Sequence, residues 1–341
     1  MAKNNYGGQA VMEGVVMNGP GGKAIACRKE DDRIVYKTEV KKPLKERYPL
    51  VGWPIIRGFV AFLSALIVGI KDISWSAAQA GEGEEQLENK DIVLAIVLAA
   101  AMAIGLFVVV PVLIGNFAWA AGGDFARSLT EGFIRLGIFL AYVLFISRMP
   151  DIQRLFAYHG AEHKTINAVE AGEPLTPENV MKHSRIHTRC GTSFLLMSML
   201  LMIIIFTFVG QTDALHRILI KVITMPLVAG VAYELFRLPL RFPDNPLVKA
   251  LTAPGLWMQK ITTNEPSKEQ LEVAITSMIF VPGFRDEYAH LIVVDAVPVP
   301  ISEADLKKEE SERDMPTGSD VQVGKKLQKS PLSQQFSKEE S

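Results

Sequence analysis

Residues 92–114 read IVLAIVLAAAMAIGLFVVVPVLI. No charge interrupts them, and at 1.5 Å per residue a helix of this length clears the roughly 30 Å hydrocarbon core of a bilayer. Three further apolar stretches accompany it. Residues 193–209 are uncharged and rich in Leu, Met and Ile; residues 133–147 are shorter and carry Arg135 near one end, where its side chain can snorkel. Residues 215–236 hold Arg217, Lys221 and Glu234, with Pro226 as an expected kink. A fifth stretch, 54–73, has only a short apolar run between Arg57 and Lys71 and reads as an interfacial or re-entrant helix. The expected fold class is therefore a mainly α, polytopic membrane protein with about four transmembrane helices.

Composition agrees. Mean hydropathy is +0.20 and 49% of the 341 residues are hydrophobic. The net charge of -1 gives no basic excess, so nucleic acid is not an expected partner, and the bilayer is. Cys27 and Cys190 lie far apart and make no disulfide framework. The glycine-rich, polar start has no apolar core of signal-peptide type. Lys and Arg number thirteen in 1–91 and six in 148–192, against Arg127 alone in 115–132 and none in 210–214. By the positive-inside rule, both termini and the loop 148–192 belong on the cytoplasmic face of the cell membrane. The acidic run Glu82, Glu84, Glu85, Glu88 pulls the other way.

Along the chain, 1–50 reads as a small β-rich element. Extended runs at 24–28 and 33–40 flank a polar turn, and the glycines before them mark tight turns. The glycines do not form a phosphate loop, because Met17 and Ala24 stand where that loop needs glycine and Ser or Thr. Residues 51–91 are the interfacial helix and an acidic linker, 92–147 and 193–236 are transmembrane hairpins, and 148–192 is a cytoplasmic histidine-rich loop. Within it a helix is expected over 151–171, ended by Gly172 and Pro174, and a short helix follows, capped by Thr176 with Pro177 in its first turn. Residues 237–301 form a cytoplasmic segment with an amphipathic stretch at 269–279 and a strand at 291–294. Residues 302–341, charged and poor in aromatics, read as disordered. The sequence has no internal repeat.

The helix over 151–171 carries His159-Gly160-Ala161-Glu162-His163. Positions i and i+4 stack on one helical face, so the two imidazoles can close on one divalent metal, and the glutamate between them can act as general base. This H-x-x-E-H order is the inverted form of the zinc-hydrolase helix. A catalytic zinc takes about three protein ligands and leaves a position open. The third ligand stays open among His187, Cys190 and Glu234. His187 and Cys190 are near in sequence, and Glu234 is an ionisable residue in a span. Each also has a plainer reading: His187 at headgroup level, Cys190 as a packed small residue, Glu234 paired with Arg237 or Arg241.

The runs Gly7-Gly8-Gln9-Ala10-Val11-Met12-Glu13-Gly14-Val15-Val16-Met17, Tyr158-His159-Gly160-Ala161-Glu162-His163-Lys164-Thr165-Ile166 and Arg189-Cys190-Gly191-Thr192-Ser193-Phe194-Leu195 resemble the bacterial YqhQ-like membrane proteins. Tyr233-Glu234 and Ala253-Pro254-Gly255-Leu256-Trp257 fit the same pattern. The resemblance implies a metal-dependent enzyme with no established substrate. This chain has Thr188 where the family usually has proline, which frees the backbone before Cys190, and Asn18 where it usually has arginine. The expected function is a membrane metal-dependent hydrolase with Glu162 as base, open to self-association. The alternatives are a transporter lined by Arg135, Lys221 and Glu234, and a non-catalytic scaffold with a structural metal.

Overall fold

The glycine-rich N-terminus is a sheet. In the computed structural model, which describes residues 6–40, 52–81, 89–118, 123–208, 214–242, 244–293 and 295–313, four strands run β1 (Gly7–Val11), β2 (Gly14–Asn18), β3 (Gly22–Arg28) and β4 (Ile34–Val40). They pair antiparallel in chain order, with Gly8 opposite Met17, Val15 opposite Ala26 and Ala26 opposite Tyr36. The expected hairpin is β3–β4. A second hairpin, β1–β2, stands where only turns are expected, and Gly7, Gly8 and Gly14 lie in its strands. Glu13 closes it at φ 49°.

Side-chain alternation splits the sheet between two partners. Val15, Met17, Ala24 and Ala26 face one core, while Val11, Val16, Ile25 and Cys27 face another that includes Trp75. Trp75 belongs to α1 (Ile56–Ala80), longer than the 54–73 expectation. Its far end is tied to the sheet by Lys23 Nζ on Asp72 Oδ1 at 2.5 Å and by the Met12 amide donating to Ser76 Oγ at 3.2 Å.

Three helical stretches are long and apolar enough to cross a membrane: Val97–Phe117, Phe125–Ile146 and Ile218–Phe236. The first is α2 (Asn89–Ile104), a π turn (Gly105–Val109) and α3 (Val110–Ala118). The second is α4 (Asp124–Ile146), which begins well before the expected residue 133. Its charged side chains turn inward: Glu131 pairs with Lys221, and Arg135 Nε donates to Phe107 O at 2.6 Å. After α5 (Pro150–Ala171) and α6 (Pro177–Met181) comes α7 (Gly191–Thr207), the stretch expected as the third span. Its 17 residues make it a shorter apolar helix, outside the three. The last span lies in α8 (Ala214–Phe236), where Pro226 sits inside the helix. The acidic run at 82–88, and most of the 210–214 connector, lie outside the described residues.

α9 (Leu238–Arg241) leads to α10 (Pro246–Thr262), started by Asn245, whose side chain accepts from the Leu247 and Val248 amides. α11 (Lys268–Ile279) opens with a capping box of Ser267 and Gln270 and matches the expected amphipathic stretch. It packs with α5 against β2 and β3. α12 (Phe284–Tyr288) follows.

Two expectations are corrected at the C-terminal end. Residues 289–291 form a 3-10 turn rather than a strand, because the Leu291 carbonyl turns inward to accept from Leu175 N at 2.7 Å; Val294 lies outside the described residues. The tail expected to be disordered begins as β5 (Ile301–Ser302), parallel to β4, and α13 (Glu303–Arg313). Buried Leu306 and the pairs Arg33–Glu309 and Lys37–Glu303 dock α13 on the sheet. Residues 314–341 lie outside the described residues.

Candidate metal centre

α5 is bounded as its sequence suggests, by Pro150 at its first turn and by Gly172 in the left-handed conformation, φ 73°, at its end. Its environment is less expected. Apart from His159, residues 157–166 are all buried, so α5 is a central helix packed on β1, β2, α6 and α11. Its polar side chains are therefore matched to specific partners. Lys164 Nζ donates to the Met181 and His183 carbonyls at 2.7 and 2.8 Å and pairs with Glu265. Asn167 donates to the Ser184 and Ile186 carbonyls. Together they pin the 181–187 loop along the helix.

That pinning orients the histidines. His163 Nδ1 meets the Arg185 carbonyl at 2.7 Å, and His159 Nδ1 meets the Thr262 carbonyl at 2.8 Å. With each Nδ1 donating to a carbonyl, both rings are oriented with Nε2 turned away from those carbonyls as the ligand atom. The Thr262 carbonyl reaches His159 because the chain after α10 crosses α5 at Gly160, where a Cβ would lie 2.0 Å from Asn264 O.

The two Nε2 atoms converge with a sulfur. Cys190, buried at the N-cap of α7, places Sγ 3.1 Å from His159 Nε2 and 3.1 Å from Thr192 Oγ1. The ligand atoms of His159, His163 and Cys190 all lie within 4.8 Å of one another, making a candidate two-histidine, one-cysteine metal triad. His163 Nε2 is buried, its side chain 1% exposed, and it has no hydrogen-bond partner among the described residues. A buried nitrogen left without a partner costs free energy that a bound cation would return.

Glu162 stands beside the triad, its Oε2 3.9 Å from His159 Nε2 and 3.8 Å from His163 Nε2. Burial pushes its carboxyl up to about 7, partly opposed by His159 and by the Gly8 amide. β1 lies directly on it: a Cβ at Gly8 would sit 2.9 Å from Glu162 Cγ. This close approach is why glycine occupies a strand position there. The β1–β2 turn is fixed to the same helix, with Arg154 and the Tyr158 hydroxyl both donating to Glu13.

The other expected ligands stand elsewhere. His187 is buried next to His163, ring centroids 5.7 Å apart, with its Nε2 3.7 Å from Glu170 Oε2 rather than in the triad. Glu170 also pairs with Arg189, and these partners pull its carboxyl down to about 2. Glu234 is held at both oxygens by Arg57 of α1, Nε to Oε1 at 2.6 Å, where α1 crosses α8 at Gly58 and Gly230. It pairs there, not with Arg237 or Arg241 as its plainer reading supposed.

Sequence reasoning did not identify Gln259. It accepts from the His187 amide and donates to the His187 carbonyl and Ser193 Oγ, each at 2.8 Å. It thus holds the backbone that Thr188 leaves freer, ahead of Cys190. Thr262 was missed too, since its contribution is a backbone carbonyl and leaves no side-chain signal.

A family model described as a protein of unknown function, DUF1385, matches residues 53–282. The uncharacterized protein YqhQ of Bacillus subtilis strain 168 is 35% identical over 288 residues, covering 80% of this chain and 90% of the relative. No solved structure matches.

Proposed function

We propose that this chain, which belongs to the DUF1385 family of proteins of unknown function, is a membrane-embedded metal-dependent hydrolase with its centre at the cytoplasmic face. The observation that carries this reading is the convergence of His159 Nε2, His163 Nε2 and Cys190 Sγ around a point where a buried imidazole nitrogen has no other partner. Two imidazoles and a thiolate suit zinc, and three protein ligands leave a fourth position for chemistry. A bound divalent ion would supply Lewis acidity and bring the ionisation of a coordinated water toward neutral pH.

The chain's own residues supply the rest. Glu162 is the proton carrier. Its carboxyl, raised to about 7, can hold or release a proton at working pH, and the Gly8 amide fixes its orientation. β1 covers Glu162 and keeps bulk water off it. His159, 12% exposed against 1% for His163, is the edge from which a substrate arrives. Cys190 begins an apolar helix, so that edge lies where α7 leaves the soluble layer. An ester, amide or phosphoester on a lipid-like or membrane-tethered molecule is the substrate class this position favours.

A second reading rests on one distance. Cys190 Sγ lies 3.1 Å from His159 Nε2 and sits at a helix N-terminus, the setting of a thiol nucleophile with a histidine base. It predicts full activity after chelation.

Glu162→Gln tests the first reading. It should keep metal and membrane insertion, yet lower turnover by about 10²–10⁴-fold and fail to restore a deletion strain. Full complementation at normal expression would remove Glu162 from the chemistry.

A further inference from the structure

Among the apolar helices lies a cavity of about 390 Å³, bounded by α1, the π turn, α4, α7 and α8. This is within the range of small-molecule sites, about 300–1,000 Å³. Its wall is almost wholly apolar, with Phe59, Phe62, Phe107 and Phe194 among the lining residues. On α7 the lining runs from Phe194 to Phe206, roughly 18 Å at the helical rise. A lining of that length around about 390 Å³ suits one extended hydrocarbon chain.

Two cations break the apolar wall, Arg135 and Lys221. They differ in one respect. Lys221 is paired with Glu131, both buried. Arg135 is 4% exposed, and its one hydrogen bond among the described residues runs from Nε to Phe107 O at 2.6 Å. Its Nη2 is buried without a partner. The Arg135 charge stands eleven residues along α4 from Asp124 and eleven from Ile146. That charge is expensive at the middle of a span unless something answers it. The acceptor for Arg135 Nε comes from the π turn, a local widening of the helix that recurs at ligand sites.

We propose that this cavity binds a single-chain amphiphile with a monoanionic oxygen head group, of the fatty-acid kind. Arg135 holds the head group, and the chain lies along α7 toward Phe62 and Phe194. The guanidinium gives a planar donor pair that fits a carboxylate, and one negative charge answers it. The site is separate from the His159–His163–Cys190 centre and stands whether or not that centre holds a metal. It retains Arg135 and Lys221 from the transporter-type path, while Glu234, bound to Arg57, is not among its lining residues.

The test uses the full chain in dioleoylphosphatidylcholine nanodiscs, with radiolabelled palmitate as probe and methyl palmitate as the uncharged competitor. Palmitate should saturate near one per chain, and the ester should compete at least about tenfold less well. Arg135→Gln should weaken palmitate by about tenfold or more, with Arg135→Lys retaining part of the affinity. Ser198→Phe fills the cavity from α7, leaves Arg135 in place, and should abolish saturable binding, which keeps the test decisive if Arg135→Gln does not fold. Equal competition by acid and ester, wild-type binding by folded Arg135→Gln or by Ser198→Phe, or non-saturable partition into the lipid alone would each overturn the proposal.

Discussion

Glu162 and Glu170 lie on the same helix and are shifted in opposite directions, so they carry opposite pH signatures. Glu162 is raised to about 7 by burial. The folded state therefore keeps a proton that the unfolded chain has given up, and stability associated with it is present below the ordinary carboxylate range and lost as pH rises through about 7. In chelator-treated protein, Glu162→Gln should be neutral near pH 5 and stabilising at pH 8, on the order of 1–3 kcal/mol. Thermal unfolding in detergent at the two pH values reads this directly; an equal effect at both would mean the carboxyl is not raised. Glu170 is pulled down to about 2 by His187 and Arg189. Its contribution is present above the ordinary carboxylate range and is lost as pH falls toward 2. Because its carboxylate is partly exposed, Glu170→Gln should cost only about 1 kcal/mol at pH 7 and nothing at pH 2. A cost that survives at pH 2 would point to packing instead of charge.

The elements show which contacts are locally written. The bounds of α5, the start of α6 and the β3–β4 hairpin follow from Pro150, Gly172, Thr176 and the polar turn between the strands, all local chemistry. The strands at Gly7–Val11 and Gly14–Asn18 were harder to read, because Gly8 answers a distant helix at Glu162 and Gly14 answers the neighbouring strand at Ala26 and Cys27. α13 was hidden by its charge, since it is tied down largely by buried Leu306 and by the ion pairs of Glu309 with Arg33 and of Glu303 with Lys37. Of the site, His159, Glu162, His163 and Cys190 were legible as a histidine helix with a cysteine nearby. The Thr262 and Arg185 carbonyls and the Gln259 clamp were not, because they come from tertiary crossings. Gly160 is the crossing that matters most. Gly160→Ala would press a Cβ into Asn264 O, push Thr262 away from His159, and should cost about 1–3 kcal/mol along with part of the metal content. Gly191→Ala, where a Cβ meets nothing, is the control and should be neutral. Equal stability and metal in the two variants would show that the crossing does not set the imidazole.

At the scale of the molecule, three helices among the described residues meet the length and apolarity of a span, and α7, with 17 residues, falls short of it. The buried pair Glu131–Lys221 explains why one span reaches further than its charge-free stretch. From the Lys/Arg bias we propose that 148–192 faces the cytoplasm. Lys182 is exposed there, and both native cysteines are buried. A Lys182→Cys protein should therefore resist an impermeant maleimide in intact cells and react after lysis; labelling of intact cells would invert this topology and put the centre outside. The central claim is that His159, His163 and Cys190 form a metal site. The most direct measurement is elemental analysis of detergent-purified wild type beside His163→Ala and Cys190→Ser. About one divalent ion per wild-type chain, zinc by its donor set, and its loss in both folded variants is the predicted result. A wild type without metal, or variants that keep the full content, would contradict it.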